Sequence, residues 1–408
     1  MKEPKIRFKG FSGEWKRSTL GDLALFSKGS GYSKSDICKE GTPVILYGRM
    51  YTKYQSVFDE IDTFVNPKDN SVVSKGGEVI IPGSGESSED ISLAAMVKNE
   101  GVILGGDLNI LKFNQKVNDP AFMSMAITYS PTRAELSSYS QGKTVVHLRN
   151  SEIAKGTIRY PDILEQNTIV NYVLSLDAQI SASTSRLASL KQMKAASLQA
   201  MFPQEGETVP KVRFKGFDGE WKTRSLNNYA KKRTEKNVNR IYNVTLTNSA
   251  EFGIIDQRQF FDHDISNSEN IDGYFVVRDK DFVYNPRISA SAPVGPINQN
   301  KLGYPGVMSP LYLVFEVKGI NHDFLEIYFH TALWHKYMFD NGNSGARFDR
   351  LTISDDDFMR MPIPDISLAE QQSIAFFFTS LDRQIALHTQ RLEKLKQIKA
   401  ACLDKMFA

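Results

Sequence analysis

Residue patterns that carry catalysis are incomplete in this sequence. The adenine methyltransferase motif is Asn or Asp followed by two prolines and an aromatic residue, and the nearest stretch, Asn285–Ile288, lacks the second proline and the aromatic residue. Gly83–Gly85 leads to Ser88, where a dinucleotide-binding loop requires a glycine. Gly142–Thr144 is similar to the end of a phosphate-binding loop, but Ser137 stands where that loop has its first glycine. The sequence therefore offers neither a methyl-transfer site nor a nucleotide site.

Metal-binding and nuclease patterns are incomplete as well. His330 and His335 are five residues apart in a predicted helix, and no HExxH motif occurs, so each histidine is interpreted as a surface or packing residue. Pro161–Asp162 and Pro364–Asp365 are similar to the start of a nuclease motif but lack a following Glu-X-Lys, and they are typical of a boundary between a domain and a helix. We expect no metal site, no cofactor and no catalytic residue in this chain.

Two long stretches of the sequence are predicted to form the elements that position the binding residues of the chain. In residues 165–202, apolar side chains recur at the spacings of an amphipathic helix with a coiled-coil seam. These are Ile169, Val173, Leu176, Ile180, Leu187, Leu190 and Met201. No glycine or proline interrupts the stretch before Pro203, so it is predicted to form one helix of about 57 Å. A single helix cannot bury this stripe alone, so it requires a partner.

The partner is predicted to be a second copy of the same helix. Residues 370–407 match residues 165–202 at 20 of 38 positions, at an offset of 205. The match includes polar positions such as Gln179 and Gln384, which two unrelated surface helices would not share. Residues 5–20 and 211–226 also match, at 11 of 16 positions, and their shared aromatic residues and glycines favour a packing role over DNA binding. The chain is therefore an internal duplication.

The regions between the repeated stretches are predicted to be mixed α and β domains. Strands are indicated by β-branched content at Thr42–Met50, Gly77–Gly83, Ile91–Val97, Leu108–Phe113, Tyr242–Asn248, Tyr274–Val277, Asp281–Pro286 and Leu311–Val317. A helix is predicted after Asp119 as N-cap, with Pro120 in its first turn, and a second helix over His322–Met338 is predicted to begin after Asn321. The order of elements is the same in both halves, although the residues differ.

The predicted fold is α+β, with two mixed α/β domains and two long helices in a tandem repeat. The expected boundaries are 1–163 for the first domain, 164–204 for the first long helix, 205–366 for the second domain and 367–408 for the second long helix. An antiparallel helix pair lets the second helix return directly to the first domain, whereas a parallel pair would require the second domain to span the whole helix length. We therefore expect an antiparallel coiled coil with pseudo-twofold symmetry.

Composition narrows the cellular compartment in which the protein is expected, but it does not identify the function. The 408 residues are enough for several domains, and the net charge of +3 permits nucleic-acid binding without indicating it. The two cysteines, Cys38 and Cys402, cannot form a disulfide framework, and the first residues do not form the apolar segment of a signal peptide. No apolar stretch has the length of a membrane span. A cytoplasmic protein is expected.

In its repeated motifs the chain resembles the specificity (S) subunits of type I restriction-modification systems, the HsdS family. RFKGF followed by GEW opens each half, a glycine-containing boundary follows at Gln141–Leu148 and Ser344–Leu351, and PDI then precedes the EQ, SLD, LKQ and MF motifs of each long stretch. The resemblance covers essentially the whole chain. It implies that each variable domain recognises one half of a split double-stranded DNA site. It also implies that the long helices set the spacing and bind two modification (methyltransferase) subunits.

The resemblance assigns the chemistry to other subunits. S-adenosylmethionine, ATP and magnesium would belong to the modification and restriction subunits, and restriction subunits would join a larger complex. This chain would be a non-catalytic subunit that gives a DNA adenine methyltransferase and restriction endonuclease its target. The globular halves differ in sequence, so an asymmetric target is expected.

DNA recognition is then expected in the variable loops, where hydrogen-bond donors and acceptors can reach base edges. The candidates in the first domain are Tyr47, Arg49, Lys53, Tyr54, Ser84, Glu86, Ser87 and Lys143. Those in the second domain are Asn248, Arg258, Asn285, Arg287, Ser289 and Arg347. Ser84 and Arg287 belong to loops that are equivalent under the repeat. The main alternative is a coiled-coil scaffold with two protein-binding heads and no DNA contact; a self-sufficient enzyme is disfavoured by the incomplete motifs.

Overall fold

The computed structural model describes residues 4–260, 268–343 and 349–407. It divides the chain into two compact units: unit 1 consists of Met1–Thr184 and Gln390–Ala408, and unit 2 consists of Ser185–Thr389. Two long helices, Ile163–Ala200 and Leu368–Met406, each contribute one part to unit 1 and the other part to unit 2. We refer to them as the first and second long helix.

Inside each unit the two long helices run antiparallel. In unit 1, the Nζ atom of Lys399 in the second long helix lies 2.5 Å from a carboxylate oxygen of Asp177 in the first. In unit 2, Lys194 and Asp382 form the corresponding ion pair at 2.6 Å. Each pair joins the N-terminal part of one helix to the C-terminal part of the other. This arrangement confirms the predicted antiparallel pairing.

Unit 1 contains two five-stranded sheets and two two-stranded sheets. The first large sheet has the order Ala24–Lys28, Leu108–Phe113, Glu78–Pro82, Ala95–Val97 and Val57–Phe58. The second has the order Ile37–Cys38, Phe64–Val65, Thr42–Ile45, Glu100–Leu104 and Val73–Lys75. The short sheets pair Lys16–Thr19 with Thr157–Tyr160 and Ser84–Gly85 with Val146–His147. All residues of Glu78–Pro82 are buried, as expected for a central strand.

Some of the short helices of unit 1 follow a residue whose side chain accepts hydrogen bonds from their free N–H groups. Besides its part of the long helices, the unit has α-helices at Leu20–Leu23, Arg49–Thr52, Pro120–Tyr129, Pro131–Tyr139 and Asn150–Ile153, and 3-10 turns at Lys34–Asp36 and Asp90–Ser92. As predicted, Asp119 caps Pro120–Tyr129, and its side chain accepts hydrogen bonds from the N–H groups of Ala121 and Phe122.

Unit 2 is built around a four-stranded sheet with the order Ala230–Lys232, Leu313–Val317, Phe282–Tyr284 and Ile297–Gln299. Two-stranded sheets pair Leu246–Ser249 with Gly253–Asp256, Phe275–Val277 with Gly306–Met308, and Lys222–Ser225 with Pro362–Asp365. Its short helices are His322–Phe329, His335–Asn341, Asp355–Met359 and Gln257–Phe260, with 3-10 turns at Leu226–Asn228 and Ser268–Gly273. This sheet has the same strand order as the first four strands of the first five-stranded sheet of unit 1.

The structure differs from the sequence predictions at several elements, among them the strand predicted for Tyr242–Asn248, which begins at Leu246. The strand predicted for Thr42–Met50 ends at Ile45, because Gly48 adopts a helical conformation and the short helix Arg49–Thr52 follows. The predicted strand Ile91–Val97 is shortened to Ala95–Val97, since a 3-10 turn occupies its first residues.

The helix predicted for His322–Met338 is two helices instead of one. Two side chains hydrogen-bond to carbonyl groups in its last turn: Trp334 Nε1 donates to the carbonyl of Phe329 at 3.0 Å, and the Thr331 hydroxyl donates to that of Tyr328 at 2.7 Å. Side-chain donors that take helical carbonyls compete with continuation of the helix. The first helix therefore ends at Phe329, and the second begins at His335.

Each unit has a core that includes the last aromatic residue of a long-helix repeat. In unit 1, the Phe407 ring lies 5.5 Å from that of Phe122, which also contacts Trp15 at 5.7 Å between ring centroids. In unit 2, Phe202 stacks on Phe324 at 5.9 Å and contacts Trp221 at 5.6 Å. Phe202 and Phe407 are both almost completely buried. The core of unit 1 thus depends on the segment that follows Thr389.

A pair of polar contacts joins each domain to the start of its long helix. Arg7 donates two hydrogen bonds of 2.7 Å to the buried carboxylate of Glu165, and Arg213 donates bonds of 2.6 and 2.8 Å to Glu370. The next residue also bonds in the same way in both units. Gln166 accepts from the N–H of the N-cap Asp119, and Gln371 accepts from that of Asn321, each at 2.8 Å. We call these contacts the helix junctions.

Candidate nucleic-acid interface

A short antiparallel pairing in unit 1 brings two separate loops together. Ser84 follows the central strand Glu78–Pro82, and it pairs with His147 in the segment before the end of the domain. The Ser84 hydroxyl lies 2.8 Å from Nδ1 of His147, and the Tyr51 hydroxyl donates to the main-chain oxygen of Ser84 at 2.7 Å. We call Ser84 and His147 the bridge site of unit 1.

Unit 2 forms the same pairing at the equivalent positions. Arg287 and Arg350, which lie 203 residues after Ser84 and His147, form an antiparallel bridge. The neighbouring main-chain bonds are Ile288 N–H to Asp349 O at 3.0 Å and Leu351 N–H to Pro286 O at 2.9 Å. The Arg287 side chain is exposed. We call Arg287 and Arg350 the bridge site of unit 2.

Three of the candidates predicted from the sequence in unit 1 are tied to other groups of their own domain. Arg49 and Lys53 both pair with the carboxylate of Asp62, and these hydrogen bonds lower the pKa of that carboxyl group. The guanidinium of Arg49 also lies 5.5 Å from the centre of the Phe58 ring, and its side chain is 10% exposed. Tyr54 donates to the carbonyl of Ala94 at 2.9 Å, and burial raises its pKa. These contacts of Arg49 and Tyr54 stabilise the fold of their own domain.

The other unit 1 candidates lie around the bridge site. Tyr47 is exposed, and its ring contacts Tyr51 at 6.3 Å between centroids. Glu86 is exposed two residues after Ser84, while the Ser87 hydroxyl donates to Asp90 at 2.6 Å. Lys143 is exposed in the turn that Gln141 and His147 close through two main-chain hydrogen bonds of 2.8 and 3.0 Å. Tyr47, Ser84, Glu86 and Lys143 are thus brought to one region.

In unit 2, the structure connects four of the six candidates. Asn248 is buried, with its side-chain hydrogen bonds inside the unit, and its carbonyl accepts from the amide of Asn285 at 2.9 Å. Asn285 Oδ1 in turn accepts from the N–H of Arg287 at 3.0 Å. Ser289, two residues later, closes a turn with Ala292, and its hydroxyl lies 3.2 Å from that of Ser291.

The remaining two candidates of unit 2 are Arg258 and Arg347. Arg258 is exposed after the hairpin that ends at Asp256, and its N–H donates to the side chain of that residue at 3.0 Å. Arg347 lies outside the described residues, so its role in DNA binding stays a prediction.

The sequence analysis missed His147, Arg350 and Tyr51. His147 and Arg350 stand in the boundary segments Gln141–Leu148 and Ser344–Leu351, which the sequence analysis used only as motifs of the repeat. The signal was present in the alignment, because His147 and Arg350 are 203 residues apart and follow equivalent glycines.

The side chains of the two bridge sites are able to form hydrogen bonds to a ligand. Arginine can donate two hydrogen bonds to a guanine edge, and serine and histidine can donate to or accept from several base edges. In the described ranges, no group of three or more His, Cys, Asp or Glu side chains is placed to hold a metal ion. The bridge sites therefore offer different sets of donors at the same place in two related domains.

Comparison with known protein families identifies the family to which this repeated arrangement belongs. Two segments, residues 12–192 and 219–397, match the type I restriction modification DNA specificity domain. They cover most of the chain, one in each half. The chain belongs to this family. It is a DNA sequence-specificity subunit of the type I restriction-modification class, and subunits of this kind are non-catalytic components of their complexes.

A solved structure of an S subunit has the same fold as this chain. The S subunit of a type I restriction-modification system from M. genitalium is 13% identical, with a TM-score of 0.58, and the match covers 100% of this chain and 99% of that chain. The HsdS subunit from Thermoanaerobacter tengcongensis is 16% identical over 96% of each chain, with a TM-score of 0.47. No curated relative matches the sequence significantly. None of the helices in the described part of the chain has the length and apolar content needed to span a bilayer.

Proposed function

We propose that unit 1 and unit 2 each read one half of a split, asymmetric double-stranded DNA site. One observation carries the proposal: the bridge sites occupy equivalent places but hold Ser84 and His147 in one unit and Arg287 and Arg350 in the other. Equivalent loops with different donors recognise different bases, because each base pair presents its own pattern of donors and acceptors in the major groove.

The proposed base-reading groups are those that the structure leaves near the bridge sites. In unit 1 these are Tyr47, Ser84, Glu86, Lys143 and His147, and in unit 2 they are Arg287, Ser289 and Arg350. Arg287 is assigned the largest contribution, because its side chain is exposed while its main chain is held by Asn285. A bidentate contact from an arginine to guanine contributes about 1–3 kcal/mol of discrimination against another base.

The partners follow from the family and from the incomplete catalytic motifs. We assign methyl transfer to two modification subunits that bind the long helices, and DNA cleavage to restriction subunits that join the same complex. S-adenosylmethionine, ATP and magnesium would then be bound by those subunits. The two cysteines of this chain, Cys38 and Cys402, are free thiols, which agrees with action in the cytoplasm.

Methylation mapping tests this proposal. The chain is purified with its cognate modification subunits, incubated with genomic DNA and S-adenosylmethionine, and the methylated adenines are located by sequencing. We expect one target with two different half-sites separated by unspecified bases. The isolated chain, as the control, should transfer no methyl groups. A palindromic target, or methyl transfer by the isolated chain, contradicts the proposal.

A further inference from the structure

A buried amide in unit 1 holds both strands of the bridge site. Asn109 has no exposed surface, and its Nδ2 donates to the carbonyl of Leu148 at 2.8 Å and to that of Pro82 at 3.2 Å. Pro82 is two residues before Ser84, and Leu148 directly follows His147. One side chain therefore fixes the distance between the two loops from which these residues project.

In unit 2, a different buried amide is connected to one strand of the bridge site. Asn248 is 2% exposed, and its Nδ2 donates to the carbonyls of Val283 at 2.7 Å and Pro296 at 3.2 Å. Its own carbonyl accepts from Asn285, whose Oδ1 accepts from the N–H of Arg287. Two amides thus form a continuous connection from the buried strands to the main chain of Arg287.

The orientation of the Asn248 amide is fixed from the other side. Asn298 Nδ2 donates to Asn248 Oδ1 at 2.7 Å, and the Oδ1 atom of Asn298 lies 3.3 Å from Nε2 of His330. Burial lowers the pKa of His330, which favours a neutral ring at neutral pH. With both donors and the acceptor of Asn248 bonded, its side chain has one well-defined position.

The two amides stand at positions that are not equivalent in the repeat. The residue 203 positions after Asn109 is Tyr312, whose hydroxyl lies 3.3 Å from Oγ1 of Thr247. Burying an amide has a cost unless it is hydrogen-bonded, and both of these amides donate to two main-chain carbonyls. What they share is a hydrogen-bonded connection to the bridge site of their own unit, which is direct for Asn109 and runs through Asn285 for Asn248.

We propose that Asn109 and Asn248 are positioning residues for base recognition, Asn109 for the half-site read by unit 1 and Asn248 for that read by unit 2. Neither contacts DNA; each sets the position of the side chains at its bridge site. This inference rests on the proposed function, and it replaces a direct DNA contact for Asn248 with an indirect role. A base contact requires placement to within a fraction of an ångström, so loss of the amide should broaden the bases accepted.

The experiment compares Asn109→Ala and Asn248→Ala, each assembled with the modification subunits, by sequencing methylated DNA. Asn248→Ala should raise methylation of sites altered in the unit 2 half-site by about tenfold relative to the intact site, and leave the bases of the other half-site unchanged. Asn109→Ala should do the reverse. Each variant is the control for the other, because both remove one buried amide.

A merely structural role predicts a different result. It lowers the amount of folded complex and the methylation of every site, and the bases of both half-sites stay as they are; that result overturns the inference. If Asn248→Ala does not fold, Asn285→Ala decides, because it leaves the Asn248 side chain in place and removes the two hydrogen bonds that connect the Asn248 carbonyl to the N–H of Arg287, at a residue that is half-buried. Unchanged base recognition in that variant also overturns it. Failure of the wild-type complex to methylate a split site refutes the proposed function instead.

Discussion

The helix junctions and the bridge sites of the two units differ in how closely they repeat. At the junctions, Arg7 bonds to Glu165 as Arg213 bonds to Glu370, with distances of 2.6–2.8 Å in both. At the bridge sites, the main-chain pairing recurs but the side chains do not. A shared geometry therefore carries two different recognition surfaces. The junctions hold each domain on its helix, and the loops are free to differ because they do not take part in that attachment.

The largest expected effect comes from the aromatic residues that complete the cores. Phe202→Ala should destabilise unit 2, and Phe407→Ala should destabilise unit 1, each by about 3–5 kcal/mol, as is typical of buried phenylalanine. Hydrogen exchange resolves the location: helix His322–Phe329 should lose protection in the first variant, and helix Pro120–Tyr129 in the second. Phe339→Ala, at a residue that is 54% exposed, is the control and should change the free energy of unfolding by less than about 0.5 kcal/mol. Loss of protection in the wrong unit would contradict the assignment of cores.

The next largest effect tests whether the junctions are equivalent. Arg7→Ala and Arg213→Ala each leave a glutamate with a side chain that is 3% exposed and without its partner. We expect each to lower the free energy of unfolding by about 3 kcal/mol, at the lower end of the range for broken buried pairs because both arginines are partly exposed. Denaturant titration measures it. Adding Glu370→Gln to Arg213→Ala should restore part of the loss, since it removes the unpaired charge. A large difference between the two single variants in the loss of unfolding free energy would contradict the equivalence of the two junctions.

Arg287→Ala sharpens the contrast between the bridge sites. It should reduce discrimination at one base pair of the unit 2 half-site by about 1–3 kcal/mol and leave the unit 1 half-site unchanged. Methylation rates on oligonucleotides with single substitutions measure this. Arg287→Lys keeps the charge but loses the two-pronged donor, so it should recover DNA affinity without recovering base preference. Equal loss of discrimination at both half-sites would show that the two units do not read their half-sites separately.

The smallest effect concerns the ion pairs between the long helices. Lys194→Ala in unit 2 and Lys399→Ala in unit 1 should each cost about 0.2–1 kcal/mol, because both pairs are partly exposed to solvent. Double-mutant cycles with Asp382→Ala and Asp177→Ala isolate the pair energies, which should fall as salt is raised. A pair energy above about 2 kcal/mol in only one unit would show that the helices pack differently there.

The fold could be predicted from the sequence wherever a long periodic pattern or a cap decided the structure. The 3–4 residue spacing defined both long helices, and Asp119 before Pro120 located a helix start. The break after Phe329 could not be predicted, because it depends on the indole of Trp334 folding back on that residue. Such a contact is local in space but has no signature in composition.

The candidate site was partly predictable. The equivalence of Ser84 and Arg287 followed from the repeat, but their partners His147 and Arg350 depend on a pairing between segments about 60 residues apart, which sequence periodicity does not reveal. The burial of Asn248 had a signal that was not used: in the strand Leu246–Ser249 it alternates in step with the buried Leu246. The engagement of Arg49 by Asp62 had none, because both residues lie in loops or short elements.

The position of Phe407 in the core of unit 1 has a consequence for the order of events during translation. Residues 185–389 form unit 2 as one continuous segment, whereas unit 1 needs residues after Thr389 to fill its core. Domains usually fold in the order in which they leave the ribosome. Here the N-terminal domain is synthesised first, but it cannot complete its core until the second long helix has left the ribosome. Phe122 and its neighbours stay incompletely covered until then. We therefore expect the second domain to reach its native packing before the first, and a chaperone that shields exposed aromatic surface to act on the residues made earliest.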